Sequence, residues 1–234
     1  MPQLISPEFK NNFLKVIFSW LVRFNLALAI LVLSTCFATA QINTNTPRNF
    51  LVLGDSIAAG FGVDPDESFP ALLQQKVDQT QFKIKVINAG VSGDTTAGGL
   101  RRIDWLLKQR VDYLLLELGG NDGLRGLSPE ATRSNMLMII ERVAAKNPSV
   151  KIVVAGMQMP PNMGSEYLER FAKVFPEVAK KSNATLIPFL LEGVGGKPEL
   201  NLADRIHPTP EGHRIITEHL WKTIGPLLSS GEPK

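Results

Sequence analysis

Short apolar runs alternate along this chain with longer stretches in which apolar residues return every three or four positions. The runs at 50–53, 84–88, 113–118, 151–155 and 185–187 are nearly continuous, which predicts strands buried on both faces. The periodic stretches at 70–77, 96–108, 129–146, 165–181 and 210–228 predict amphipathic helices between and after them. Ser128-Pro129 and Thr209-Pro210 each combine a helix N-cap with proline at the first helical position, where a missing N–H costs nothing. In the 129–146 segment Leu137, Ile140, Val143 and Ala144 have the spacing of a core stripe. Strands separated by crossover helices pair in parallel and are covered on both sides, so the fold class is α/β: one three-layer α/β/α domain over 49–228, with about five strands.

The first 40 residues do not fit that pattern. Lys10, Lys15 and Arg23 precede an apolar run at 26–33, and Ala38-Thr39-Ala40 supplies small residues of the kind a secretory peptidase cuts. The reading is export, periplasmic or secreted, with cleavage after Ala40, then a linker over 41–48 and a tail over 229–234. A retained membrane anchor is the alternative, because the apolar character from 24 to 40 nearly suffices to span a bilayer. Leu33-Ser34-Thr35-Cys36 also resembles a lipoprotein acylation site, although Thr35 is unusual before the cysteine.

Removing that segment changes the charge. It holds three of the 25 basic residues and one of the 22 acidic ones, so the remainder carries a net charge of +1. Neither this balance nor any basic patch suits nucleic-acid binding. Cys36, the only cysteine, leaves with the segment, which excludes thiol catalysis and thiolate metal sites in the exported form.

Chemistry concentrates where the strands end. The first runs into Gly54-Asp55-Ser56, the second into Gly90-Val91-Ser92-Gly93-Asp94, the third into Gly119-Gly120-Asn121-Asp122-Gly123. Parallel strands put their carboxyl ends on one edge, so Ser56, Gly93 and Asn121 can share a crevice, with glycine allowing close approach and the amide donating without net charge. Ser56 is the candidate nucleophile. Each block also reads as ordinary turn or capping chemistry, with Asp94 as a helix N-cap. Three histidines remain after cleavage. His213 and His219 fall inside the last helical pattern and suit surface or helix-end roles, whereas His207 follows Asp204 by three residues in an irregular loop, where the aspartate can hold the imidazole as a base. A metal site from Asp204, His207, His213 and Asp55 or Asp122 is a competing arrangement, although hard-metal phosphoesterases show denser His and Asp clusters.

Taken together, Gly54-Asp55-Ser56, Gly90-Val91-Ser92-Gly93-Asp94, Gly119-Gly120-Asn121-Asp122 and Asp204-Arg205-Ile206-His207 resemble, in order and spacing, the blocks of the SGNH (GDSL) hydrolases. The similarity spans nearly all of 49–228 and is greatest to the bacterial periplasmic thioesterase/lysophospholipase and arylesterase branch. The resemblance implies a flavodoxin-like sheet and a triad of Ser56, His207 and Asp204. It also implies an oxyanion hole from the Ser56 and Gly93 N–H groups with the Asn121 side chain. It implies neither cofactor nor metal, and no obligatory protein partner, only a small acyl or aryl ester substrate. One departure is Arg205, where the family resemblance leads one to expect glycine; a cation there would bias substrate choice or pair with an acidic neighbour.

For the substrate, Leu124 lies in a glycine-flanked stretch that reads as a loop able to close. Met157, Met159, Pro160 and Phe189 follow later strands and suit an adaptable apolar groove, or simply pack beneath their loops. The expected reaction is hydrolysis of short to medium acyl or aryl esters, with thioesters or lysophospholipids as extensions. A carbohydrate O-acetyl esterase and a non-catalytic exported binding module are the alternatives.

Overall fold

The computed structural model describes residues 46–229, in which five strands and seven α-helices alternate. Assignments made above for the export segment, most of the linker and the last five residues lie outside the described residues. The strands are β1 (Arg48–Gly54), β2 (Ile84–Gly90), β3 (Tyr113–Glu117), β4 (Lys151–Ala155) and β5 (Thr185–Ile187). All pair in parallel in the order β2-β1-β3-β4-β5. The five predicted strands are therefore all present. Their sides alternate between two buried faces, and Phe50, Leu51, Val52, Leu53, Leu114, Leu115, Leu116, Val153 and Val154 are fully enclosed.

Five helices are long: α2 (Phe69–Asp78), α3 (Thr96–Leu106), α5 (Pro129–Lys146), α6 (Ser165–Ser182) and α7 (Pro210–Ser229). Right-handed crossovers place α2 on one face of the sheet and α3, α5 and α6 on the other, because the chain steps outward from β1 to β2 and then back across β1 to β3. The final helix α7 packs against α2 and completes the third layer.

Two short helices were not read from the sequence: α1 (Ser56–Ala59) and α4 (Gly120–Leu124). Both begin where a strand ends, and each carries a predicted site residue at or near its first position. The core stripe of α5 also differs from expectation. Thr132, Met136, Ile139, Ile140 and Val143 are buried, while Leu137 and Ala144 sit at its margin. This helix packs between α3 and α6, so its enclosed face is centred between two neighbours instead of on the sheet alone.

The strand order reverses direction between β1 and β3. In open parallel sheets the crevice outside the carboxyl ends at such a switch is the place where ligands bind. Ser56 follows β1 and Asn121 follows β3, so the two flank it.

Candidate active site

Ser56 is the first residue of α1 and only 8% exposed. Asp55 caps that helix, its Oδ1 accepting the Ile57 N–H at 3.0 Å, and Gly60 closes it in the left-handed region at φ 76°. The serine Oγ lies 2.9 Å from His207 Nε2, and His207 Nδ1 lies 2.7 Å from Asp204 Oδ2. The other Asp204 oxygen accepts the backbone N–H groups of Ile206 (2.9 Å) and His207 (3.0 Å), so the carboxylate is oriented before it meets the ring. These bonds, the imidazole's first, hold the Asp204 pKa down at about 2. An ionised partner on Nδ1–H leaves Nε2 as the acceptor of the serine proton. Phe61, half-exposed, lies against the imidazole with ring centroids 4.5 Å apart. Nothing in the sequence singled it out.

Gly93 adopts φ 77°, a conformation open to glycine. Asn121 reaches the same edge, but its Nδ2 already donates to Asp55 Oδ2 (3.1 Å) and to the Asp94 carbonyl (3.0 Å). For this amide to serve a developing oxyanion, one of those contacts must yield. Asp94 is not the N-cap that its position suggested. Thr95 caps α3, accepting the Gly98 N–H, while Asp94 pairs with Arg102 at 2.8 Å. Arg102 also donates to the carbonyls of Ala89 (2.7 Å) and Gly54 (3.0 Å), tying together the ends of β1 and β2.

Asp122 is buried and structural in its contacts. It accepts the Thr96 N–H (2.9 Å), the Thr96 hydroxyl (2.5 Å) and the Thr132 hydroxyl (3.3 Å), joining α4 to the starts of α3 and α5. His213 also departs from expectation. It is fully buried, its Nδ1 accepting the Phe69 N–H at 3.2 Å, and burial holds its pKa down at about 4. It therefore cannot meet Asp204 and His207 as a surface ligand would. Burial also pushes the Asp55 pKa up to about 6, against the bonds from Ile57 and Asn121 that favour its charge.

A cavity of about 560 Å³ opens over Ser56 and His207. Leu124, Met157, Met159, Pro160 and Phe189 all line it, with Leu191, Arg205 and Ile206. The glycine at 123 is closely packed. A side chain there would collide with the Met159 sulfur and press on Phe171, and the Tyr167 hydroxyl fastens the segment through the carbonyls of Gly123 and Leu127. Arg205 has φ 61°, one of two non-glycine residues in the left-handed region among the described residues.

Glu117 was missed altogether. It is 1% exposed at the end of β3, and its Oε2 accepts the Asp55 N–H at 3.1 Å. The signal was present, because it is the one charged residue within the apolar run 113–118.

Comparison with known proteins gives a consistent result. The model of the GDSL-like lipase/acylhydrolase family matches residues 52–215. An esterase, TesA, of Pseudomonas aeruginosa is 39% identical over 200 residues, covering 85% of this chain and 98% of its own. A thioesterase 1/protease 1/lysophospholipase L1 of Escherichia coli is 37% identical over 213 residues, covering 91% and 97%. The crystal structure of TesA superposes with a TM-score of 0.74 at 40% identity, covering 77% of this chain and 99% of that one.

Proposed function

The chain belongs to the GDSL-like lipase/acylhydrolase family and is a carboxylic ester hydrolase, and on that footing we propose that Ser56 is its nucleophile, His207 the base and Asp204 the residue that orients the base. The observation that carries this reading is the unbroken hydrogen-bonded series from Ser56 Oγ through both imidazole nitrogens to Asp204. Attack on the ester carbonyl transfers the Ser56 proton to Nε2 and expels the alcohol, which takes that proton; water then opens the acyl-enzyme by the same route. The Ser56 and Gly93 N–H groups, with the Asn121 amide released from Asp55 or Asp94, receive the oxyanion.

The substrate side of the proposal is a short to medium acyl or aryl group seated among Leu124, Met157, Met159, Pro160 and Phe189. Support comes from the volume and apolar character of the cavity. The names of the relatives extend the candidates to thioesters and lysophospholipids. We further propose export with cleavage after Ala40, on the basic residues, apolar run and small residues of the first 40 positions. N-terminal sequencing of the protein recovered from a producing cell checks the cleavage position.

A fluorophosphonate probe is expected to label wild-type protein at Ser56 and to leave Ser56→Ala unlabelled and inactive. Normal turnover of p-nitrophenyl butyrate by Ser56→Ala would refute the assignment. Asn121→Ala is expected to lower kcat by roughly 10² to 10³ with the fold retained. An acyl-chain series of matched esters and thioesters then defines the groove.

A further inference from the structure

Glu117 is a buried carboxyl group that the acyl-transfer scheme leaves without a task. It closes β3 in register with Gly54 and is enclosed to 1% exposure, and its Oε1 has no hydrogen-bond partner among the described residues. Enclosing a carboxyl group in this way is costly, and a fold retains such a group only where its contacts offset the loss of water. Its hydrogen bond goes to the turn that presents the nucleophile: Oε2 accepts the Asp55 N–H at 3.1 Å. Gly54 makes room for it: a β-carbon at that position would collide with the Glu117 carboxyl and with the Ala58 methyl. The glycine before Asp55 and Ser56 is thus explained by the acid beneath it, since no positive φ is recorded there.

We propose that Glu117 is a positioning residue for Ser56: its carboxyl group accepts the N–H of Asp55, the residue before the serine, and packs under Gly54, and so sets the approach of Oγ to His207. The inference rests on the reading of Ser56 as nucleophile. Burial, reinforced by the neighbouring Asp55 carboxylate, raises the Glu117 pKa well above the usual range, which favours the uncharged form of the acceptor. That neutrality matters to its neighbour. Two anions this close in an enclosed site oppose each other, and an uncharged Glu117 lets Asp55 stay ionised while it accepts from Ile57 and Asn121. One side chain thereby bears on the nucleophile through the Asp55 backbone and on the candidate oxyanion donor through the Asp55 carboxylate.

The test compares Glu117→Gln, which keeps an uncharged acceptor, with Glu117→Leu, which keeps the bulk and removes it. Turnover of p-nitrophenyl butyrate and the rate of Ser56 labelling by a fluorophosphonate are read on each, with Tm as the measure of folding. Glu117→Gln is expected to stay within about threefold of wild type in both. Glu117→Leu is expected to lose roughly 10- to 100-fold in kcat and in labelling rate, with KM changed by less than about threefold and Tm unchanged or higher, because misplacement of a reacting group weakens the chemical step and not ground-state binding. Should Glu117→Leu fail to fold, Glu117→Asp, whose carboxyl falls short of the turn, replaces it with the same expected loss. Wild-type rates in the apolar or shortened variant would overturn the inference, as would a Glu117→Gln variant as impaired as Glu117→Leu. Failure of wild-type labelling at Ser56 would instead remove the nucleophile assignment itself, so the two failures are separable.

Discussion

Arg205 illustrates how one residue can be costly to the backbone and useful at the surface. A side chain at φ 61° costs about 1 kcal/mol that glycine would not incur. The strain falls between Asp204 and His207, the two residues whose mutual geometry matters most. Arg205 lines the cavity and is exposed, and the one carboxyl group among the lining residues is the buried Asp55. Arg205→Gly is expected to raise Tm by about 2–4 °C. It is also expected to lower the ratio of kcat/KM for an ester bearing a carboxylate or phosphate to that for its neutral analogue, and the ratio is the quantity to measure. An unchanged ratio would mean that the cation plays no part in selection. Asp55 is the second residue whose chemistry reaches beyond its own contacts. With its pKa raised to about 6 it is ionised at pH 8 and largely neutral at pH 5, where it no longer accepts fully from Asn121.

Among the elements, the five strands and five long helices were legible because each carries a period or a continuous apolar run long enough to stand out. The short helices α1 and α4 were not, since four or five residues contain barely one turn and their Gly, Asp and Asn content reads as a turn. Ser56, Gly93, Asn121, Asp204 and His207 were legible as blocks at strand ends and in a loop. Glu117 was overlooked inside an apolar strand, and the contact of Phe61 with His207 leaves no mark on the sequence. The role of Asp122 was also hidden, because its partners Thr96 and Thr132 lie on two other helices. It is those contacts that hold α4, and with it Asn121, at the crevice. Asp122→Ala leaves the Thr96 N–H and hydroxyl without their buried acceptor, at about 1–3 kcal/mol for each, while the Thr132 hydroxyl keeps the Ser128 carbonyl at 3.1 Å. A loss of at least about 2 kcal/mol in urea unfolding is therefore expected, and a change below about 1 kcal/mol would show that the junction adapts.

For the whole molecule, the reversal of strand order between β1 and β3 gathers the ends of three strands at one crevice, while α7 returns from the His207 loop to close the opposite layer against α2. His213 sits at that closure, its ring lying over Phe69 and its Nδ1 holding the Phe69 N–H. Its low pKa follows first from burial and second from the charge of His207. In the unfolded chain this imidazole takes up a proton below about pH 6.5, whereas in the folded protein it resists until about pH 4. The unfolded state therefore binds more protons across that window, and the contribution of His213 to stability falls as pH drops from 6.5 to 4, by about 3 kcal/mol in all. Asp55 acts in the opposite sense, since its raised pKa makes the folded protein bind the extra proton between the ordinary aspartate value of 3.8 and about 6. The wild-type curve thus combines contributions of both signs, with Glu117 adding to the sense of Asp55 and Asp204 to that of His213, and a single variant isolates one of them. His213→Asn removes the titration while retaining an oxygen able to accept from Phe69. Between pH 7 and pH 5 wild type is expected to lose about 2 kcal/mol more than His213→Asn, read from urea midpoints at the two pH values. Parallel losses in the two proteins would mean that the closure of α7 on α2 does not depend on keeping this histidine neutral.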